Sequence, residues 1–171
     1  TMSRMPALIE FAKEHHLKIG TVSDLIEYRS RTETFIEQVA ERPVETHYGP
    51  ARLVAFCDKT THMTHLALIF GKIDPEQETR VRVHIPMSII DGSCLGINLG
   101  RGYPLEEAMR KISPGPGILL LLRQPETEEK ILQVMKNPET VDADHRWDPR
   151  IYGIGAQILK ALGVKKMRLL S

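Results

Sequence analysis

The sequence predicts an α/β domain, with a mixed β-sheet flanked by helices and a short helical N-terminal extension. Three observations support this prediction. Residues 51–58 and 63–70 are apolar runs joined by a short polar link, which is typical of an antiparallel hairpin. Residues 118–122 are continuously aliphatic, as expected of a central strand that is covered on both faces. A helical pattern over residues 152–162 leads into the apolar stretch 167–170, which indicates a strand–helix–strand crossover between buried strands.

The composition fits one compact domain with an attached piece. The chain has 171 residues, 42% of them hydrophobic, which is enough to build a core without disulfides. Its 23 basic and 22 acidic residues form no long run of one sign, which argues against nucleic acid or a membrane surface as the partner. Two cysteines and seven methionines suit a reducing compartment, so a cytoplasmic protein is expected. Because the chain opens Thr-Met-Ser, we expect a fragment of a longer protein.

The first 46 residues predict two short helices and a connector. Pro6 suits the first turn of one helix, and Thr21 offers an N-terminal cap for the second. Residues 30–46 are charged, weakly patterned and interrupted by Pro43. They therefore predict a connector that leads into the first strand.

The remaining elements follow from local patterns. Residues 80–84 alternate with period two, so Val81 and Val83 face one way and the two arginines face the other. The glycine-rich residues 88–102 predict a loop. Apolar stripes predict three helices, over residues 104–112, through Ile131, Leu132 and Met135, and over residues 152–162.

Two pairs of potential metal ligands are present. His62 and His65 have a metal-like spacing, but residues three apart on a strand face opposite ways, so surface or hydrogen-bonded histidines are the better interpretation. Cys57 lies in a predicted strand and Cys94 in the glycine-rich loop. No neighbouring Cys-x-Cys or His-x-His supports a zinc site at Cys94, so buried thiols are favoured.

Two further pairs suggest contact with an anion. In an extended segment Asp148 and Arg150, on either side of Pro149, share a face and precede a predicted helix, so they could serve a phosphate-bearing substrate. A surface ion pair is the simpler interpretation. Arg82 and His84 point the same way from their strand and could meet an anionic ligand, although an exposed polar strand face is the simpler interpretation here as well.

The order of several segments carries a family resemblance. They are His65-Leu66-Ala67-Leu68, Val81-Arg82-Val83-His84, residues 117–124, Thr140-Val141-Asp142-Ala143, residues 148–159, Leu162-Gly163-Val164 and Arg168-Leu169-Leu170. Together they resemble the GTP cyclohydrolase II domain. Residues 4–29 resemble the tail of 3,4-dihydroxy-2-butanone 4-phosphate synthase, an enzyme often fused ahead of that domain in riboflavin biosynthesis. The resemblance implies a synthase tail and linker over residues 1–46 and a GTP cyclohydrolase II-like domain over residues 47–171.

The resemblance implies a zinc ion held by three thiolates, which this sequence lacks. The family's Ser-Glu-Cys follows its Arg-Val-His strand, but here Met87 takes the place of the first ligand. Residues 96–100 occupy the family's Cys-x-Cys region, and Cys94 is the only sulfur nearby that could be a thiolate. We therefore expect no zinc, and without zinc water is not acidified for attack at neutral pH.

A second departure affects the family's GTP-binding segment. In the family a glycine-rich segment follows Leu-Arg-Gln, whereas here Gln124 is followed by Pro125 and by acidic residues that would repel a triphosphate. Pro104 stands where the family places a glutamine that contacts the base.

Some functional positions survive by the resemblance. Asp148 matches the proton acceptor and Arg150 the residue assigned as nucleophile. The positions that match GTP contacts are Arg82, His84 and Thr140, with Ser171 in place of a threonine contact. We interpret all six residues as vestigial.

The resemblance implies a catalytically degenerate, zinc-free domain without a cofactor, with a structural or dimerising role. The parent chain would be a lyase that makes dihydroxybutanone phosphate and formate from ribulose 5-phosphate, with magnesium or manganese in its upstream domain. Expected partners are that upstream synthase domain, a second copy in a homodimer, and a weakly bound phosphate or nucleotide. The alternatives are a regulatory phosphate- or nucleotide-binding domain and an active GTP cyclohydrolase II with an unusual metal site.

Overall fold

The computed structural model describes residues 4–86, 105–125, 127–136 and 149–170. The chain divides into two compact units between Thr34 and Phe35. The elements, in chain order, are α1 (Met5–Glu14), α2 (Val22–Thr32), β1 (Ile36–Thr46), β2 (Gly49–Asp58), β3 (Thr64–Phe70), β4 (Glu78–His84), α3 (Leu105–Ile112), β5 (Gly117–Leu121), α4 (Glu128–Lys136), α5 (Pro149–Ala161) and β6 (Lys166–Leu169). None of the helices in these ranges combines the length and apolar character that crossing a bilayer requires.

The N-terminal unit contains the two predicted helices. Pro6 lies in the first turn of α1, where its missing N–H leaves no helical hydrogen bond unmade. Thr21 caps α2, because its hydroxyl accepts a hydrogen bond from the backbone N–H of Asp24 at 3.0 Å. The Asp24 carboxylate accepts one from the Thr21 N–H, also at 3.0 Å. This reciprocal capping box fixes where α2 begins.

The prediction of a connector over residues 30–46 is wrong for most of its length. Only residues 33–35 separate α2 from β1, and β1 runs along β2 in an antiparallel ladder. The strand is at the edge of the sheet and its residues are mostly exposed, so its charged side chains are solvated and give no apolar pattern. Pro43 pairs with Arg52, and an edge strand tolerates proline because one side of its backbone needs no ladder partner.

The described strands form one mixed six-stranded sheet in the order β1-β2-β3-β5-β4-β6. The predicted hairpin is confirmed, because β2 and β3 pair antiparallel. The predicted central strand is also confirmed, since β5 lies between β3 and β4. In β4, Val81 is fully buried and Arg80 is exposed, as the alternating pattern predicts.

The last strand was predicted to be buried, and this is wrong. β6 pairs in parallel with β4, which agrees with the crossover, but all four of its residues are exposed. Met167 is 53% exposed and Leu169 is 52% exposed. The physical reason is that β6 lies at the sheet edge, where no helix or strand among the described residues covers its apolar side chains.

The core lies on both faces of the sheet. Ile118 and Leu120 of β5 belong to one apolar cluster and Leu119 to another, because successive strand residues face opposite ways. On the first face the strands pack against α5, and the buried members include Val54, Phe56, Ala67, Ile69, Val81, Ile158 and Leu159. On the second face they pack against α3, through Ala51, Phe70, Met109 and Ile112. The sheet is therefore the middle layer between α5 and α3.

Candidate functional site

The carboxyl ends of β4, β5 and β6 meet at one edge of the sheet, because these three strands are parallel. β3 is antiparallel to β5, so the beginning of β3 and the end of β2 lie at the same edge. In open α/β sheets, ligands bind in the crevice outside the carboxyl ends of the strands. The side chains at this edge are therefore the candidate site.

Arg82 and His84 lie on the α3 side of β4, as the sequence predicts for residues that share a face. The simpler interpretation, an exposed polar strand face, is wrong for both: each is half-buried, and Nε of Arg82 and Nε2 of His84 are shielded from solvent. Because β4 lies between β5 and β6, its side chains are more shielded from solvent than those of an edge strand.

Arg82 has a structural contact. Its Nη1 donates a hydrogen bond to the carbonyl oxygen of Leu170 at 2.9 Å. The N–H of Leu170 donates in turn to the carbonyl of Val81 at 2.8 Å. β4 therefore holds both backbone groups of the residue that follows β6, and the guanidinium supplies one of the two bonds.

A second polar group lies on the α5 side of the same edge. Asp58 is 5% exposed, and its carboxylate accepts hydrogen bonds from the N–H of Thr60 and the hydroxyl of Thr61, both at 2.7 Å. His65 is also 5% exposed, and its Nδ1 accepts a hydrogen bond from the N–H of Arg123 at 3.2 Å. The prediction of a hydrogen-bonded histidine is confirmed for His65. His62 lies in the preceding turn with φ 56°, so the two imidazoles do not share a strand.

The pKa values of this group follow from burial and its neighbours. Burial alone raises the pKa of Asp58, but hydrogen bonds from Thr61 and Thr60, together with the charge of His65, outweigh it and lower the pKa below its ordinary value. Burial lowers the pKa of His65; Asp58 opposes this shift and Arg123 adds to it. Asp58 is therefore ionised and His65 neutral at pH 7.

The segment after β5 leads into an acidic helix start. Glu128 and Glu129 lie in the first turn of α4, and both are exposed. A hydrogen bond from its own backbone N–H, and then one from the Thr127 hydroxyl, lower the pKa of Glu129. Two acidic side chains in this exposed turn disfavour a bound polyphosphate.

The thiol that the structure describes lies at the same edge of the sheet, but three strands away from β4. Cys57 is half-buried on β2, forms no disulfide, and donates weakly through Sγ to the carbonyl of Asp58 at 3.7 Å. Three strand spacings of about 4.8 Å separate β2 from β4, which places Cys57 roughly 14 Å from the line of β4. Within the described ranges, no three side chains from His, Cys, Asp and Glu are grouped as a metal would need.

Several predicted site residues lie outside the described residues. These are Asp148, Thr140 and Ser171, as well as Met87, Cys94 and Pro104. Arg150 lies in the first turn of α5, but its side chain is outside the described part of the chain. The pairing of Asp148 with Arg150 and the vestigial roles of all these residues therefore stay predictions.

Comparison with known proteins gives the family. The model of the family described as GTP cyclohydrolase II matches residues 37–171. A 3,4-dihydroxy-2-butanone 4-phosphate synthase from Neisseria meningitidis serogroup A is 42% identical over 171 residues, which cover 99% of this chain and 46% of that protein. A riboflavin biosynthesis protein RibBA from Parabacteroides distasonis is 41% identical over 184 residues, covering 100% of this chain and 45% of the relative.

A solved structure shares the fold. The crystal structure of RibBX, a two-domain 3,4-dihydroxy-2-butanone 4-phosphate synthase from A. baumannii, matches with a TM-score of 0.69 and 31% identity. The match covers 100% of this chain and 44% of that one, so the chain spans less than half the length of the proteins that it resembles. The family match begins at the second residue of β1 and extends to the end of the sequence. The chain belongs to the GTP cyclohydrolase II family.

Proposed function

We propose that this chain is a catalytically degenerate, zinc-free GTP cyclohydrolase II-like domain with a structural role in a 3,4-dihydroxy-2-butanone 4-phosphate synthase of riboflavin biosynthesis. The names of its relatives support the pathway and the parent enzyme. The lyase reaction belongs to the other domain of such a protein. The chain itself catalyses neither that reaction nor GTP hydrolysis.

The main support for this proposal is that the sequence has too few cysteines to provide the zinc-binding thiolates. A family zinc site needs three, and the whole sequence has two cysteines. Zinc–sulfur bonds of about 2.3 Å bring ligands within roughly 4 Å of one another. Cys57 is several times farther than that from β4, which leaves Cys94 as the one thiolate for a site beyond His84. The residues present do not fit the family's zinc.

Two other observations support loss of the GTP site. The exposed carboxylates of Glu128 and Glu129 begin α4, which follows the segment where the family binds GTP. Arg82, which matches a GTP contact, donates to the carbonyl of Leu170 instead of presenting that N–H to a ligand. This contact supports a role for Arg82 in the fold.

The N-terminal unit supports a role beside another domain. Its helices carry large apolar side chains that are highly exposed: Phe11 is 53% exposed, Leu25 57% and Tyr28 65%. Exposed apolar patches of this kind mark surfaces that meet a partner. In the proposed parent protein, the upstream synthase domain covers them. Hydrogen exchange of α1 and α2 is then slower in the full-length gene product than in this chain, and equal rates would contradict the covering.

The decisive experiment measures bound zinc and GTP turnover together on the purified chain, with and without added zinc. We expect neither stoichiometric metal nor turnover. Cys94→Ser and Cys57→Ser are the matched variants, since a zinc ion held near His84 would be lost in the first and kept in the second. One tightly bound zinc per chain accompanied by turnover would overturn the proposal in favour of an active enzyme with an unusual metal site.

A regulatory binding role is the second candidate, because Arg82 and His84 remain together at the carboxyl ends of parallel strands. Isothermal titration calorimetry with GTP and with pyrophosphate separates the two roles. No heat at millimolar ligand is expected for a structural domain. Saturable heat that is lost in His84→Ala would favour regulation.

Sedimentation of the chain tests the proposed homodimer, and a monomer at high micromolar concentration would contradict it.

A further inference from the structure

The chain leaves β5 through two backbone hydrogen bonds, one to each neighbouring strand. The N–H of Leu122 donates to the carbonyl of His84 on β4 at 3.0 Å. The next N–H, from Arg123, donates to the imidazole Nδ1 of His65 on β3 at 3.2 Å. The imidazole of His65 thus accepts a backbone hydrogen bond on one side of the chain, as the carbonyl of His84 does on the other.

The bond to His65 requires a particular state of the ring. Nδ1 can accept a hydrogen bond only when it carries a lone pair, so the ring must be neutral with its proton on Nε2. In the protonated ring both nitrogens are donors. Nδ1–H would then face the N–H of Arg123, and the two donors could not remain in contact.

We propose that His65 is a positioning residue: its neutral ring holds the chain where it leaves β5, at Arg123 and Gln124, and protonation of that ring releases it. This goes beyond the proposed function and does not depend on it. The outcome is a proton-controlled position for residues 123–125, which follow the end of β5.

The surroundings keep the contact closed at neutral pH. His65 is 5% exposed on the α5 face, where α5 contributes apolar side chains such as Ile154 and Ile158. Among the described residues, the charged groups that act on the ring are Asp58, at the end of β2, and Arg123 itself. Burial lowers the pKa of His65 and Arg123 lowers it further, while Asp58 opposes them, so the net pKa lies below the ordinary 6.5.

Asp58 limits how far the ring resists protonation. Its carboxylate is held by Thr60 and Thr61 and lies on the same sheet face as His65, since Phe56 pairs with His65 in the β2–β3 ladder. An ionised carboxylate here favours the imidazolium, so it raises the pH at which the ring is protonated. Asp58→Asn should therefore shift the release to lower pH.

The test is amide hydrogen exchange of the whole chain by NMR, with each rate divided by its intrinsic rate at that pH. As the pH is lowered from about 7.5 through the folded pKa of His65, we expect the protection of the Arg123 amide to fall by on the order of tenfold. Protection of the Leu122 amide, which is bonded to a carbonyl, should change far less. Parallel loss at both amides would mean general unfolding and would overturn the proposal.

Two substitutions separate positioning from simple packing. In His65→Asn the amide oxygen takes the place of Nδ1 without titrating, so Arg123 stays protected at both ends of this pH range. In His65→Leu the acceptor is gone, and protection is lost at both. If His65→Asn behaves like His65→Leu, the acceptor is irrelevant and the proposal fails.

A measurement on the unaltered protein keeps the proposal testable even if a variant does not fold. Nitrogen-15 spectra of the imidazole distinguish the two neutral tautomers. We expect the form with its proton on Nε2 at about pH 7.5, because Nδ1 accepts the Arg123 N–H. The opposite tautomer, or a flat pH profile for Arg123, would overturn the assignment.

Discussion

Gln157 of α5 accepts, through Oε1, a hydrogen bond from the backbone N–H of Phe35 at 2.8 Å, which joins residues 122 positions apart. The carbonyl of Phe35 accepts a second bond, from the N–H of Lys59 in the turn after β2, also at 2.8 Å. The residue that precedes β1 is therefore attached both to a helix and to a hairpin turn. Since β1 is an edge strand with mostly exposed side chains, these two bonds help determine where the sheet begins.

The first prediction concerns this anchor. Gln157→Leu should lower the free energy of unfolding by about 1–2 kcal/mol, because the partly buried N–H of Phe35 loses its acceptor. Gln157→Glu keeps an acceptor oxygen of similar reach and should retain most of the stability. Urea unfolding followed by circular dichroism measures both variants. Equal losses would show that the hydrogen bond to Phe35 contributes little.

The turn after β2 supplies the second prediction, on pH dependence. The folded pKa of Asp58 lies below the ordinary 3.8, so its contribution to stability is present above that pH and is lost as pH falls through the lower, folded value. Asp58→Asn should be less stable than the unaltered chain by about 1–3 kcal/mol near pH 6. The difference should shrink as the pH falls below 3.8, because the carboxyl of the unfolded chain is then protonated while the folded one is still ionised.

Urea titrations at several pH values between about 3 and 6 test this linkage. Asp74→Asn is the matched control, since Asp74 accepts a hydrogen bond from the N–H of Glu76 in an exposed turn. It should change the free energy of unfolding by less than about 1 kcal/mol. A difference between Asp58→Asn and the unaltered chain that stays constant with pH would contradict the assigned role of the carboxylate.

Strong local patterns predicted most of the fold. These patterns are the aliphatic run of β5, the hairpin of β2 and β3, and the apolar stripes of the later helices. Burial can be predicted from them because every second residue of a strand, or every third to fourth residue of a helix, faces a core. β1 was missed since an edge strand with solvated charges and Pro43 resembles a connector. β6 was misjudged because Met167 and Leu169 are apolar, while their exposure depends on what covers the sheet edge.

The candidate site was predictable only in part. The alternation in β4 places Arg82 and His84 on one face, as observed. No local pattern shows that Arg82 reaches Leu170 or that His65 reaches Arg123, since 88 and 58 residues separate the partners. Such contacts depend on strand order, which places β5 between β3 and β4 even though β4 precedes it in the chain.

The third prediction tests the close approach of α3 and β5. A Cβ atom on Gly117 would lie against the carbonyl oxygen of Ile112 and 2.8 Å from the Ile112 Cβ. Neither group is the end of a flexible side chain, so Gly117→Ala should reduce stability by about 3 kcal/mol or more. Gly115→Ala is the control two residues away, because its Cβ would meet nothing within 4 Å. Thermal unfolding compares the two, and similar melting temperatures would contradict the predicted clash.

The role of Arg82, in the fold or in binding a ligand, can be tested by comparison with Arg80. Arg80 and Arg82 lie on the same face of β4, and each donates through Nη1 to a backbone carbonyl: Arg80 to Lys111 at 2.8 Å, and Arg82 to Leu170 at 2.9 Å. Arg80 is exposed and Arg82 is half-buried. Because the loss of a buried donor leaves a shielded carbonyl without that bond, Arg82→Met should reduce stability by about 1–3 kcal/mol. Arg80→Met should change stability by less than about 1 kcal/mol, since water replaces an exposed contact.

Hydrogen exchange at the Leu170 amide measures the effect of each arginine substitution at the site of the contact. Its amide donates to the carbonyl of Val81, and it should lose protection in Arg82→Met but keep it in Arg80→Met, because only Arg82 holds the carbonyl of the same residue. Calorimetry with pyrophosphate on the same variants tests the other role. If Arg82→Met kept full stability and Leu170 protection but lost measurable pyrophosphate binding, Arg82 would be retained for an anion, and the regulatory function would replace the structural one.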